Sequence, residues 1–193
     1  MAAHTVRVWD LFVRLFHWLL VVAFVVAYAS EDDYLDIHTG AGYTVLALLA
    51  LRLVWGFVGT RYARFSDFVR PPGQALGYVK DTLSGRARRY LGHNPAGGLM
   101  IVTMLLSLLA TTVSGMALLG AEEGAGPLAA LMSGVSHSLG EALEGFHEFF
   151  ANFTVLLVLG HLVGVLFESL VHRENLVRAM ITGDKPLHDE EPE

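Results

Sequence analysis

The sequence predicts an all-α integral membrane protein, a four-helix bundle with both termini in the cytoplasm. Three observations carry this reading. Of 193 residues, 53% are hydrophobic and only 17% charged, where soluble domains carry about a quarter charged. Four apolar segments reach the length needed to cross a hydrocarbon layer of about 30 Å at about 1.5 Å per residue. Basic and acidic residues then segregate between alternate connections, which orients the spans.

The first segment covers residues 11–29 and is interrupted by Arg14 and His17. Arg7 and Arg14, with Ala27-Tyr28-Ala29 at the far end, resemble a cleaved signal peptide. The run is long for one, however, and cleavage would remove His17. The second segment covers 41–59, with Arg52 near its end. The third, 97–121, has no charge before Glu122 and is apolar around its whole circumference, unlike a soluble bundle helix. Asn94-Pro95 precede it as a cap and first-turn pair. The fourth, 151–171, carries His161 and Glu168. None alternates with period two, so helices are expected rather than membrane strands.

Two connections need their own reading. Residues 61–91 hold Pro71-Pro72, Gly73 and the basic run Arg86-Ala87-Arg88-Arg89, with a short interfacial helix expected over 74–83. Residues 124–145 form a small-residue loop with a short amphipathic helix expected over 128–139. Residues 1–183 make up the four-helix domain, and the polar, acidic stretch 184–193 is expected to be disordered.

Charge sets the orientation. All thirteen Lys and Arg residues lie at the start of the chain, between Arg52 and Arg89, or after His172. The other two connections are acidic: Glu31, Asp32, Asp33 and Asp36 in one, Glu122, Glu123, Glu141 and Glu144 in the other. The positive-inside rule puts both termini and the middle connection in the cytoplasm and these acidic loops in the periplasm or its equivalent. Cysteine is absent, which excludes disulfides, thiolate ligation, Cys-held iron–sulfur clusters and thioether haem attachment. A net charge of −6 gives no reason to expect nucleic acid.

The histidines carry the chemistry. His147 and His161 lie fourteen residues apart, just under four helical turns, so both rings face nearly one way about 21 Å apart. His38 opens the second segment near the outer face, and His17 lies about twelve residues before the outer end of the first. Depth therefore pairs His38 with His147 at an outer level and His17 with His161 at an inner level. Ionisable groups inside a span mark function. Neutral imidazoles on facing helices can clamp a haem between them.

Nearby residues fit that clamp. Gly42, Gly160 and Gly164 lie close to the histidines and permit close approach of a flat macrocycle, although small residues are common in any membrane helix interface. Arg52 follows His38 by fourteen residues, which puts it on the same face at the inner level. It could pair with haem propionates or snorkel from the helix end. Arg14, one turn before His17, is a second candidate. His4, His93 and His188 read as tail or loop residues, and His137 and His172 as weak alternative ligands.

Several short motifs together resemble a known family. They are Val8-Trp9-Asp10 with Arg14-Leu15-Phe16-His17-Trp18, His38-Thr39-Gly40-Ala41-Gly42-Tyr43, Leu51-Arg52-Leu53-Val54-Trp55-Gly56 and Arg64-Phe65-Ser66. Gly92-His93-Asn94-Pro95 and the end from His147 through His161 to His172-Arg173-Glu174-Asn175-Leu176 complete the set. The chain resembles bacterial cytochrome b561 and the b-type cytochrome subunits of nickel–iron hydrogenases. The resemblance implies four or five membrane helices, two haem b groups, and electron exchange between quinone and a partner redox protein. It carries the ligands over as His17 with His161 and His38 with His147. With four apolar segments, the sequence leans away from the five-helix hydrogenase subunit.

The expected function is electron transfer between the quinone pool and a periplasmic redox partner, most simply a c-type cytochrome with a basic face opposite the acidic loops. Membrane lipid is a further partner, and a homodimer is compatible with the sequence. The alternatives are a superoxide:quinone oxidoreductase, a haem-free membrane anchor, and a small proton-coupled transporter. Haem content separates the first two readings from the others.

Overall fold

The structure is a computed structural model and describes residues 5–31 and 34–187. Asp32 and Asp33 of the first acidic loop, residues 188–193, His4 and His188 lie outside the described residues. The elements are β1 (Thr5–Arg7), α1 (Leu11–Ser30), α2 (Leu35–Val58), α3 (Phe65–Phe68), α4 (Pro72–Leu83), α5 (Pro95–Glu122), α6 (Ala129–Met132), α7 (His137–Val171), α8 (Leu176–Thr182) and β2 (Asp184–Pro186). Helices α1, α2, α5 and α7 are long and apolar enough to cross a membrane. The chain is therefore an all-α, multi-pass membrane protein, as the apolar segments predict.

Two helices start earlier than their apolar stretches. Helix α2 begins at Leu35 rather than near residue 41, which puts His38 in its first turn. Helix α7 begins at His137 and runs for 35 residues. It takes in only residues 137–139 of the helix expected over 128–139, whose first part is the separate four-residue α6, with non-helical residues 133–136 between them. Hydropathy marks where lipid begins, whereas a helix continues until a breaker stops it, and no proline interrupts 137–171. In the connector, α4 has Pro72 in its first turn and matches the expected interfacial helix.

The chain packs as two units, one of residues 1–19, 51–102 and 160–193, the other of 20–50 and 103–159. In the first, Val8, Trp9, Val13, Ala63 and Ala179 form the core, with Trp55, Tyr62 and Met180 against it. Asp10 organises this core. Its carboxylate caps α1 by accepting from the Val13 amide at 2.8 Å, and also accepts from Trp55 Nε1 at 3.0 Å and Thr60 Oγ1 at 2.6 Å. Burial alone would raise the Asp10 carboxyl, but these donors outweigh it and hold it below its ordinary value. Asn94 caps α5, accepting from the Gly97 amide at 2.7 Å, as its sequence context predicts.

The chain ends of this unit pair. Strands β1 and β2 run antiparallel with Val6 opposite Lys185. Gly183 ends α8 with φ +92°, and a Cβ there would lie 2.5 Å from the Trp9 carbonyl oxygen, so the turn requires glycine. Lys185 is 3% exposed and its ammonium lies 2.9 Å from Glu174, which also takes a 2.7 Å bond from Arg89. The expectation of disorder from residue 184 onward is thus corrected for Asp184–Pro186. A polar stretch can be ordered when its charge finds buried partners, and here Glu174 supplies one.

In the second unit, stretches of all four long helices meet. Ala23, Val45, Leu49 and Leu108 form its core, with Leu20, Phe24 and Leu105 around it. Ser107 and Thr154 hydroxyls bond at 2.7 Å between α5 and α7, and Tyr28 donates to Asn152 at 2.9 Å between α1 and α7. Such polar pairs hold membrane helices together where burial against lipid adds little. Val22, Val25, Leu106, Leu156 and Leu159 remain outward-facing, as apolar side chains do where lipid is the solvent.

Candidate functional site

In the second unit, His38 on α2 and His147 on α7 face each other. Their ring centres are 5.9 Å apart and their planes are inclined by 70°. His38 Nδ1 lies 2.9 Å from the Ala27 carbonyl oxygen, and His147 Nδ1 lies 2.9 Å from the Thr111 carbonyl oxygen. A carbonyl only accepts, so each Nδ1 carries the proton and Nε2 keeps the lone pair. Ser114 Oγ is also 3.3 Å from His147 Nδ1. A Cβ on Gly115 would sit 2.8 Å from His147 Cε1, so only glycine lets α5 come this close to the ring. Sequence reasoning missed Thr111, Ser114 and Gly115. Their signal was a stripe of small and hydroxyl residues at helical spacing along α5, Ser107, Thr111 and Ser114-Gly115.

The first unit holds His17 on α1 and His161 on α7 within electrostatic reach of each other. His17 Nδ1 is buried without a hydrogen-bond partner, and the ring stands edge-on to Trp18 at 4.9 Å. The members of each pair expected from depth therefore fall in the same unit. A Cβ on Gly42 or Gly164 would meet no atom within 4 Å, and one on Gly160 would approach only Met100 Cε, at 3.3 Å. Packing within the chain does not demand glycine at these three positions.

Arg52 does not snorkel. It is 4% exposed, and its Nη2 donates to the Ala63 carbonyl oxygen at 2.9 Å. Its guanidinium lies 5.1 Å from the Phe65 ring centre and 5.8 Å from that of Phe68. Its Nη1 is buried without a partner. Arg14 is largely committed to structure: Nη1 donates to the carbonyls of Ile181 at 2.7 Å and Thr182 at 2.9 Å, closing the end of α8. Arg14 Nε is buried without a partner.

His93 is more than a loop residue. Its ring lies between Trp9, at 4.6 Å, and Phe68, at 4.8 Å. Burial, then the Arg52 and Lys185 cations, push its pKa down to about 3, so it is neutral. Its Nδ1 has no hydrogen-bond partner. His137 is an exposed side chain beside Glu141, and His172 lies against Glu168. Neither replaces His147 in the facing pair.

Four apolar spans, with His38 and His147 facing each other from two of them, define a multi-pass helical membrane protein with paired imidazoles on its helices. Residues 8–183 match the family described as prokaryotic cytochrome b561, and the chain belongs to that family. The family is one of b-type cytochromes, which implies haem b and electron transfer in a membrane. Curated relatives bear the name probable Ni/Fe-hydrogenase B-type cytochrome subunit. One from Azotobacter chroococcum mcd 1 is 25% identical over 97% of this chain and 91% of its own length. Another from Azotobacter vinelandii is 24% identical over the same shares. One from Rhizobium leguminosarum bv. viciae is 25% identical over 80% of this chain and 70% of its own. No solved structure matches.

Proposed function

We propose that the chain is a dihaem b cytochrome of the bacterial inner membrane that carries electrons between the quinone pool and a periplasmic redox partner. The observation that supports it best is the His38–His147 pair. Two imidazoles on one metal, with bonds of about 2.0 Å, have ring centres about 6 Å apart. The separation of His38 and His147 is 5.9 Å, with both Nδ1 atoms engaged by carbonyls. In this reading His38 and His147 hold one haem, and His17 and His161 hold the second. Gly42, Gly160 and Gly164 leave room beside the backbone for the porphyrin. Arg52 Nη1 and Arg14 Nε, buried and unpartnered, supply donors for propionates. Haem iron supplies one-electron chemistry when bound, and the chain supplies ligands, low dielectric and fixed orientation.

The partner docks at the acidic loops in this reading. A c-type cytochrome with a basic face satisfies the charge, while the names of the relatives favour a hydrogenase in that place. A pyridine haemochrome assay on the purified chain tests the core of the proposal. It should give close to two haem b per chain and a split α band in the reduced-minus-oxidised spectrum. A reproducible ratio of one removes the dihaem reading, and no haem removes the cytochrome. Co-purification from native membrane distinguishes the two partners.

A further inference from the structure

We infer that Tyr78, Glu168 and His172 form a proton-transfer site that serves quinone at the His17–His161 end of the protein. The inference rests on the quinone-linked reading above and names the groups that would exchange its protons. Glu168 lies seven residues after His161, and His172 lies eleven after it. Seven and eleven residues are close to whole numbers of helical turns, so all three side chains leave nearly one face, with Glu168 about 10 Å along the axis from His161.

Glu168 is a carboxylate in the last turn of α7, at the end of its apolar stretch, and its side chain is only 16% exposed. A group like this is costly in a membrane unless it is partnered or used. The Tyr78 hydroxyl, reaching from α4, lies 3.2 and 3.1 Å from the two carboxylate oxygens. His172 Nε2 lies 3.3 Å from Oε2 without the alignment of a hydrogen bond. Tyr78 is 7% exposed, and the Tyr90 ring stands edge-on at 5.6 Å. Burial, then the Glu168 carboxylate, raises the Tyr78 phenol, so it acts as a donor and not as a charge. Arg89, Glu174 and Lys185 complete the charged surroundings, with Lys185 within electrostatic reach of Glu168.

A mere tether between α4 and α7 needs one hydrogen bond. This cluster instead combines a carboxyl, an imidazole and a phenol, the side chains used for general acid–base work. The balance is simple. Reducing one quinone to quinol takes two electrons, delivered singly by the reduced cytochrome, and two protons that convert two carbonyls to hydroxyls. The Glu168 carboxyl gives a proton to a quinone oxygen and is recharged through His172 from water on the connector side. Quinol oxidation runs the same path in reverse.

The test uses the full haem-loaded chain in phospholipid vesicles, with decylubiquinol and a naphthoquinol as probes and ferricyanide as a proton-free electron acceptor. Glu168→Gln should slow quinol-driven turnover about a hundredfold. It should leave unchanged both α-band components and the rate at which ferricyanide reoxidises the dithionite-reduced cytochrome, a step that needs no quinol. Tyr78→Phe, which keeps the carboxyl, should slow quinone turnover less. The infrared reduced-minus-oxidised difference spectrum of the parent should contain a carboxyl band that shifts on 13C-glutamate labelling and is absent from Glu168→Gln. Parent-like quinone turnover in Glu168→Gln overturns the inference and leaves the quinone reading standing. If that variant does not fold, a parent spectrum with no glutamate band overturns it. A parent inert to both quinols overturns the quinone reading itself, and the inference with it.

Discussion

His38 and His147 approach ring to ring at 5.9 Å, and each turns its Nδ1 to a main-chain carbonyl of a neighbouring helix. Backbone carbonyls cannot be mutated away, so the tautomer of both rings is built into the fold. The same relationship makes pairing testable. His38→Ala and His147→Ala should remove the same α-band component, and His17→Ala and His161→Ala the other. Redox difference spectra of the four variants decide it. Loss of one component by both His17→Ala and His38→Ala would refute the pairing.

Gly115 gives a test that leaves every histidine in place. A Cβ there would lie 2.8 Å from His147 Cε1, so Gly115→Ala must displace the ring or the helix. Overpacking of this kind costs about 1–3 kcal/mol. The His38–His147 component should lose occupancy, while the His17–His161 component keeps its full amplitude. Equal amplitudes in variant and parent would mean that α5 yields without moving the ring.

The spans and the histidine pairs were legible because both follow helical arithmetic: hydropathy gives the segments, and fourteen-residue spacing gives the shared face of His147 and His161. What supports the rings was not legible. Ala27 and Thr111 act through carbonyl oxygens, which leave no mark in side-chain chemistry. His93 reads as a loop residue because the aromatic pocket around it is assembled from Trp9 and Phe68, distant in sequence. The order of Asp184–Pro186 was hidden for the same reason, since Lys185 finds Glu174 and the Tyr90 carbonyl only after folding.

Glu174 controls the join of the two chain ends. Burial works against its charge, but Lys185 and Arg89 outweigh it and hold the carboxyl below its ordinary value of 4.5. A depressed carboxyl contributes stability above its unfolded pKa, and that contribution is lost as pH falls through the folded pKa. The β1–β2 pairing should therefore be firm at neutral pH and open in acid, as pH falls below the ordinary carboxylate range through the lowered pKa of Glu174. Glu174→Gln leaves Lys185 buried without its carboxylate, a change that costs about 3–5 kcal/mol for a broken buried pair. Amide protons of Val6 and Lys185 should lack protection, relative to their intrinsic exchange rate, at every pH in the variant, and lose it only in acid in the parent. Protected amides in the variant at neutral pH would show that main-chain pairing alone holds the strands.

Arg52 separates a structural from an electrostatic role. Its Nη2 supports the Ala63 carbonyl and its Nη1 has no partner. A cation beside a haem favours the reduced state, so Arg52→Gln should lower the potential of the His17–His161 component. A loss of about 1.4 kcal/mol corresponds to roughly 60 mV for one electron. Arg52→Lys keeps the charge and should hold most of the potential. Redox titration of the two α-band components checks both. If Gln and Lys shift the potential equally, the effect comes from the lost Ala63 bond and not from charge.

The acidic loops offer the last test, on the surface where a partner is proposed to dock. Glu31 and Asp36 flank the start of α2, Glu122 ends α5 with Glu123 just beyond it, and Glu141 and Glu144 lie in the first turns of α7; Asp32 and Asp33 complete the first loop in sequence. Their bland role is to solvate the loops and hold orientation, which needs charge but no arrangement. Docking to a basic protein needs long-range attraction, which salt screens over about 8 Å at physiological strength. Replacing Glu31, Asp32 and Asp33 together by Asn and Gln should slow electron transfer with a cationic c-type cytochrome at low salt. The deficit should shrink as salt rises, because steering acts on the association rate. Haem content should match the parent, since all three precede α2 in sequence and none is a proposed ligand. Stopped-flow mixing across a salt series gives the answer. A triple variant as fast as the parent at low ionic strength would leave this loop a solvated turn and move the docking surface to Glu122 and Glu123 or away from the acidic face altogether.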